Sequence, residues 1–399
     1  MPLILSFSIM ILKESVVIEN RKKMKITFIL PTANFGGGIR VISIYAQWLT
    51  QRGHSVELIS QPPPRDKLFS RKTFKNLITG KGLGLKTKQG SHLDGLTLHH
   101  RVLDTCRPPI DKDVPDADII IATWWLTAEW VNRLSANKGA KVYFIQHHEI
   151  HKHLPVERTK KTYLYPFHKI VIAKWLKDMM RDRYCDNMVD LVPNSVDHSI
   201  FYSEERNKRN IPTVGFVYSP RPFKGCDVIF EVIKTLKMKF LNLKVISFGA
   251  SQPDFSDFIL SEIEFHLSPT QSVIRELYSS CDLWLSASRS EGFYLPAMEA
   301  MACRTPVVST KTGWPLESIK NGFNGYLAEI DDVHSLVNGV ASILELTNSD
   351  WAVMSANAFD TVKDSSWDKS AEMFEESLLH ACKRANNKEI AGNCTLIVD

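Results

Sequence analysis

The 399-residue chain contains no Cys-x-x-Cys pair, no run of 20 apolar residues and no Gly-x-Gly-x-x-Gly element. Its seven cysteines, Cys106, Cys185, Cys226, Cys281, Cys303, Cys382 and Cys394, are odd in number and widely spaced. That pattern argues against a disulfide framework and a cysteine-rich zinc site, and it suits a reducing compartment. The apolar stretch Pro2 to Leu12 falls short of the roughly 20 residues that span a bilayer. No basic residue precedes it and no small-residue cleavage site follows, so it does not read as a secretory leader. Residues 1–23 are expected to be a disordered N-terminal extension, with an interfacial anchor as the other reading. The net charge is only +5 and no nucleic-acid-binding motif is present, which argues against a nucleic-acid partner. No low-complexity segment occurs, and the only internal likeness is between two similar halves.

With 44% hydrophobic and 23% charged residues, the chain can form a globular protein of two ordinary domains. The first half opens as a βαβ unit. Lys25 to Leu30 reads as a strand, Gly36, Gly37 and Gly38 as a loop, Ile39 to Arg52 as a helix, and a second strand runs to Ser60. Glycines at a helix N-terminus allow close approach of a phosphate or sugar, or simply make a tight turn. A dinucleotide site is disfavoured, because Ser60 and Gln61 stand where a ribose-binding acid is expected. Arg65 to Lys88 carries eight basic residues against one acid, Asp66. Such a segment could draw in an anionic acceptor or make a peripheral contact with an acidic membrane surface; a solvated loop is the alternative. The strand Ala117 to Ala122 runs into Trp124 and Trp125, which are either acceptor-side stacking residues or core. The strand Val142 to Ile145 runs into QHHEIHKH. A metal reading of those histidines is disfavoured, because strand ends rarely give clean ligand geometry and no cysteine is near. A strand over Lys169 to Ala173 and a helix over Trp175 to Tyr184 follow.

The second half repeats the pattern from Thr213, with Lys224 and Gly225 at its first strand-to-helix turn, strands at Leu243 to Gly249 and Ile263 to Leu267, and a helix at Gln271 to Ser280. The stretch Cys281 to Glu317 organises the rest. Asp282 to Ala287 reads as a buried strand and Pro296 to Cys303 as a helix opening with proline, with Glu291 and Gly292 in the loop between. First-turn amides near Leu295 and Ala297, at the positive end of the helix dipole, form an anion site. The carboxylates of Glu291 and Glu299 would repel a phosphate, so sugar and ribose hydroxyls are their natural partners. A helix over Asp331 to Glu345 and a tail helix over Trp367 to His380, with its apolar stripe Trp367, Ala371, Phe374 and Leu378, complete the chain.

EGFYLPAME, AMACRTPVVST and TGWPLESIKNGFNGYL together resemble the E-x7-E signature block of retaining glycosyltransferases of the family-4 type, the glycosyl transferases group 1. The resemblance implies the GT-B fold, an α/β architecture of two Rossmann-like domains facing across a cleft, with a C-terminal helix crossing back to the N-terminal domain. It implies an N-terminal acceptor-side domain at 24–202, a nucleotide-sugar-binding domain at 203–366, a crossover helix at 367–382 and a flexible tail at 383–399. VPNSVDHSIF resembles the segment that ends the first domain, with Ser195 in place of the usual glycine.

By the same resemblance Glu291 contacts the donor sugar, Glu299 holds the ribose, and the backbone of Gly292, Phe293, Tyr294 and Leu295 takes the diphosphate. The glycine loop, including Gly37 and Gly38, lines the donor cleft. Lys224 reaches the diphosphate, while the usual partner arginine is replaced by Ser219 or Tyr218, with Arg221 as the candidate substitute. Gln146, His147 or His148 faces the reacting sugar, followed by Glu149. Tyr294 and Arg304 stand where glycine is usual, and Tyr294 is expected to narrow the space beside the donor. The Gln-His-His-Glu stretch resembles rhamnosyltransferase-like members.

The implied activity is transfer of a hexosyl or deoxyhexosyl group, with retention, from a nucleotide-diphosphate sugar to a hydroxyl of a glycan or lipid-linked acceptor. The setting would be polysaccharide or cell-surface glycan synthesis in the cytoplasm, with possible attachment at the inner face of the membrane, and neither a cofactor nor a metal is expected. Rival readings are a nucleotide-sugar epimerase or hydrolase on the same fold, a non-catalytic transferase subunit, and a nicotinamide-dependent oxidoreductase, the last disfavoured by the missing fingerprint.

Overall fold

The computed structural model describes residues 22–63, 90–151, 154–253 and 258–389. The extension before residue 22 and the basic stretch Arg65 to Lys88, with its expected acceptor or membrane contact, lie outside the described residues. Backbone contacts divide the described residues into one unit that runs up to Tyr143 and takes in the chain again from Leu378, and a second unit of Phe144–Ser377.

Strands β1 (Lys25–Leu30), β2 (Ser55–Ser60), β3 (His99–Val102), β4 (Ile119–Ala122), β5 (Ala140–Ile145), β6 (His168–Val171) and β7 (Asp190–Leu191) form a seven-stranded sheet in the order β3-β2-β1-β4-β5-β6-β7. The pairings β1 with β2 and β4, β2 with β3, β4 with β5, and β6 with β7 are parallel. The run Ile119 to Ala122 is buried throughout, as expected of a central strand covered on both faces. The helix Gly37–Gln51 buries Ile39, Val41, Ile42, Tyr45, Ala46 and Leu49 at helical spacing. It begins two residues before the expected Ile39, because Gly36 takes the extended N-cap conformation and leaves Gly37 in the first turn.

Strands β8 (Thr213–Val217), β9 (Lys244–Gly249), β10 (Glu264–Leu267), β11 (Leu283–Ser286), β12 (Val307–Thr310) and β13 (Gly325–Ala328) form a six-stranded sheet in the order β10-β9-β8-β11-β12-β13, with every pairing parallel. Its core joins Val214, Phe216, Leu283 and Leu285 to Val232 and Leu236 of the helix Cys226–Lys239 and to Leu336 and Val340 of the helix Val333–Leu344. Two α/β parts with parallel sheets were expected, and two are present.

Three elements depart from the sequence reading. Strand β3 is mostly exposed at a sheet edge and carries no apolar alternation. The helix Asn348–Val362 starts where the Thr347 hydroxyl accepts the Asp350 N–H, and it packs Trp351, Met354 and Ala358 inward. The last helix, Trp367–Asn386, runs past the expected end at residue 382 and closes with Lys383 and Arg384, cations suited to the negative end of a helix dipole. From Leu378 onward it groups with the first unit.

In each sheet the order reverses beside the first strand of its half, between β1 and β4 and between β8 and β11. Open parallel sheets bind ligands beyond the C-terminal ends of the strands at such reversals. The reversal in the second sheet sets the loop after β8, which carries Lys224, beside the loop after β11, which carries Glu291.

Candidate functional site

The two loops meet at close quarters. The single turn Pro222–Lys224 ends on Gly225 in the left-handed region, φ 64°. A Cβ at Gly225 would lie 1.9 Å from the Ala287 carbonyl oxygen, so only glycine lets this turn rest on the end of β11. As a result the Lys224 Nζ lies 2.7 Å from Glu291 Oε1, and the same oxygen accepts the Ser288 hydroxyl at 2.7 Å. Glu291 is buried while Lys224 keeps 30% of its side-chain surface in solvent. The carboxylate is therefore doubly hydrogen-bonded, as a buried charge requires, and the lysine has an open side.

Within the same unit, the backbone at Gly292 lies against that of Gln146 and His147. The Trp175 indole N–H donates to the Gly292 carbonyl at 2.9 Å, and the Trp175 backbone N–H donates to Glu317 Oε1 at 2.6 Å. Phe293 stacks on Trp314, centroids 5.7 Å apart, and accepts its backbone N–H at 2.7 Å. The loop is thus fixed at both ends.

The helix begins at Leu295, one residue before the expected proline, with Tyr294 as N-cap at φ 75°. A side chain in this region is strained, and here burial of the ring compensates. Burial also pushes the Tyr294 hydroxyl well above its ordinary range. Lys224 Nζ stands 5.9 Å from the centre of that ring. Of the first-turn amides, Pro296 has none and the Ala297 N–H already donates to the Tyr294 carbonyl at 3.1 Å, so the expectation of a free amide at Ala297 is corrected. No side chain caps this helix, which leaves the Leu295 N–H at the positive end of the dipole. Glu299 is buried and accepts the Tyr278 hydroxyl at 3.0 Å. Arg221 is exposed, with its guanidinium over the Phe223 ring at 6.0 Å, and forms no ion pair among the described residues.

Of the candidates after β5, His147 and His148 point in different directions. His147 Nδ1 is 2.9 Å from the His148 carbonyl, which can only accept, so Nδ1 carries the proton and Nε2 can accept from the Ser290 hydroxyl at 3.3 Å. Burial lowers the His147 pKa, opposed by the nearby Glu291 carboxylate. His148 turns the other way, buried against Tyr163 and Tyr184 with Nε2 2.8 Å from the Tyr184 hydroxyl. His151 stacks on Phe223, centroids 5.1 Å apart. His147 and His148 therefore do not converge on one point, while His153 lies outside the described residues. Glu149 is half-buried and donates its backbone N–H to the Tyr163 hydroxyl at 2.9 Å. In the other unit, Trp125 is buried in the core and Trp124 is half-buried at the N-cap of the helix Trp125–Arg133. Gly37 has nothing within 4 Å of where a Cβ would stand, and Gly38 follows it in the first turn.

Burial, with the Arg183 charge, lowers the His148 pKa to about 3. The folded state therefore resists a proton that the unfolded chain takes up below about pH 6.5. The stability this residue contributes is complete above that pH and is lost as the pH falls toward 3, at up to about 1.4 kcal/mol per pH unit. Denaturant titrations at pH 7 and pH 5 should show wild-type protein losing more stability than His148→Phe; equal losses would remove His148 as the cause.

Ser288, Arg289, Trp175 and Tyr278 went unnoticed in the sequence. Ser288 and Arg289 stand three and two residues before Glu291, and that closeness is the local signal that could have found them.

Residues 201–359 match the family model described as Glycosyl transferases group 1. An uncharacterized glycosyltransferase of Methanocaldococcus jannaschii is 30% identical over 206 residues, 50% of this chain and 56% of that protein. The D-inositol 3-phosphate glycosyltransferase of Mycobacterium marinum is 24% identical over 225 residues, 51% of this chain and 47% of that protein. The chain thus spans about half the length of these curated relatives. Among solved structures, Anabaena HepE in complex with UDP-glucose superimposes with a TM-score of 0.66 at 18% identity, covering 90% of this chain and 100% of that one. The structural likeness gives the GT-B fold, and the stretch 201–359 that matches the glycosyl transferases group 1 model includes Lys224, Glu291 and Glu299. Among the described residues no helix is long and apolar enough to cross a membrane.

Proposed function

We propose that this protein is a retaining glycosyltransferase of the family-4 type that moves a hexosyl or deoxyhexosyl group from a nucleotide-diphosphate sugar to a hydroxyl of a glycan or lipid-linked acceptor. The observation that carries the reading is the meeting of Lys224 and Glu291 at the second sheet reversal, ahead of the helix that opens at Leu295. In this reading 203–366 is the donor half and 24–202 the acceptor half. The Lys224 ammonium and the Leu295 N–H meet the leaving diphosphate, where fixed positive groups stabilise charge as it develops. Glu291 accepts from the donor sugar's hydroxyls, and Glu299, already placed by Tyr278, accepts from the ribose. His147, neutral at pH 7, presents its Nε2 side beside Glu291 and Ser290, where it can hydrogen-bond the reacting sugar. A leaving-group oxygen then helps take the proton of the acceptor hydroxyl, and transfer occurs on the face from which the diphosphate departs. The match of residues 201–359 and the UDP-glucose bound by the HepE relative in fold support a nucleotide-sugar donor. The setting is the synthesis of a polysaccharide or cell-surface glycan on the cytoplasmic side of the membrane.

The reading is tested by thermal shift with UDP, GDP, ADP, dTDP and CMP. A ligand at 100 times its dissociation constant adds about 2.7 kcal/mol of stability, enough for a clear rise in melting temperature. One nucleoside diphosphate should give that rise, and Glu299→Gln, which keeps an acceptor for Tyr278, should reduce it. No rise with any nucleotide would shift the case to a non-catalytic relative. Consumption of the nucleotide-sugar without an acceptor would favour a hydrolase or epimerase.

A further inference from the structure

Arg289 has no part in the chemistry described above, yet it makes the densest set of side-chain bonds near the site. Its guanidinium donates to both carboxylate oxygens of Asp227, at 3.0 and 2.6 Å, to Asp331 Oδ1 at 2.6 Å and to the Pro222 carbonyl at 2.7 Å. Its backbone N–H donates to the Phe223 carbonyl at 2.8 Å. Three separate segments are therefore tied to one side chain: the turn Pro222–Lys224, the first turn of the helix Cys226–Lys239, and Asp331 just before the helix Val333–Leu344. A surface arginine usually makes one screened, mobile pair. This one retains 30% of its side-chain exposure and still uses four of its five N–H groups. Asp331 itself sits in the left-handed region, φ 63°, and aims its carboxylate at the guanidinium.

Arg289 belongs to the same loop as Ser288 and Glu291, and the turn it holds is the one that carries Lys224. A lysine side chain is long and flexible, so the place of its ammonium depends on where its backbone is held. We infer that Arg289 is a positioning residue for Lys224, tying the lysine's turn to the Glu291 loop so that the ammonium stays beside the place of the leaving diphosphate. This rests on reading the site as a nucleotide-sugar site. A direct hold on the diphosphate is a different role, and the geometry disfavours it, because two carboxylates already occupy the guanidinium.

The two roles predict opposite signs for one variant. Asp227→Asn removes a negative charge near the site. If Arg289 acted only as a charge, that change would tighten nucleoside diphosphate binding. If Arg289 positions the turn, Asp227→Asn weakens binding, as Arg289→Met does. Calorimetric titration uses the nucleoside diphosphate selected by the thermal-shift screen and its monophosphate. Arg289→Met and Asp227→Asn should each weaken the diphosphate about tenfold and leave the monophosphate within about twofold, with little change in melting temperature. In a Lys224→Met background, Arg289→Met should add nothing further, because its effect passes through the lysine. Tighter diphosphate binding by Asp227→Asn, unchanged affinity in both variants, or full additivity with Lys224→Met would overturn the inference while leaving the function intact. Absence of nucleoside diphosphate binding by the wild-type protein would overturn the functional reading and this inference with it. Should Arg289→Met fold poorly, Asp227→Asn, which keeps the side chain's size, decides alone.

Discussion

Lys224→Met is expected to lower the rate of transfer from the nucleotide-sugar by about 10²- to 10³-fold, the cost of removing one well-placed group that stabilises developing negative charge. The fall should be mainly in kcat, because charge on the diphosphate grows as the sugar bond breaks. The same substitution carries a stability cost of a different origin. Glu291 is buried, and without the ammonium its Oε1 keeps only the Ser288 hydroxyl among the two contacts it now has. A buried carboxylate that loses its cation destabilises the fold. The two effects separate in the double variant Lys224→Met/Glu291→Gln, where the neutral amide needs no cation. Its melting temperature should recover toward wild type while its rate stays low. A wild-type rate in Lys224→Met would remove the lysine from the chemistry.

Much of this arrangement was legible in the sequence, and for identifiable reasons. The alternation of apolar runs with amphipathic helices is a short-range signal, so β1, β4 and β11 were found within a residue or two at either end, and β8 starts at the expected Thr213. Glu291 and Glu299 lie eight residues apart in one contiguous block, and Lys224 sits at a glycine turn after a strand. What could not be read is what depends on topology. Lys224 and Glu291 are separated by 67 positions, and only the reversal of strand order between β8 and β11 brings them together. Apart from its closeness to Glu291, nothing in the sequence singles out Arg289 in its polar loop. Its meaning comes from Asp227 and Asp331, each on a different segment.

The same limit applied to side-chain direction. A strand end gives no periodicity beyond its last residue, so QHHE left three candidates for one place; the structure turns His147 toward Ser290 and His148 toward Tyr184. Trp124 and Trp125 were indistinguishable by type, yet only Trp125 is buried in the core. Strand β3 escaped because an edge strand with exposed faces carries no apolar signature.

Gly292→Ala is expected to cost both stability and rate. A Cβ there would lie 1.8 Å from the Gln146 carbonyl oxygen and 3.0 Å from the carbon bearing it. A carbon and a carbonyl oxygen come no closer than about 3.3 Å without repulsion, so one backbone must retreat by more than an ångström. Neither can do so locally. The Gly292 carbonyl is held by the Trp175 indole, Phe293 is stacked on Trp314, and Gln146 continues directly from β5. The expected cost is about 1–3 kcal/mol of stability, as for other forced overpacking. The expected loss of rate is about 10²-fold, because displacing the loop moves Glu291 relative to both Lys224 and His147. Nucleoside diphosphate affinity should fall less than the rate, since Lys224, the Leu295 N–H and Glu299 belong to elements the new methyl does not touch. Thermal denaturation and steady-state kinetics on the one variant test all three statements. Rates near wild type would mean that the Gln146 carbonyl and the Glu291 loop separate in the working protein, and that the contact seen between them is not part of the catalytic arrangement.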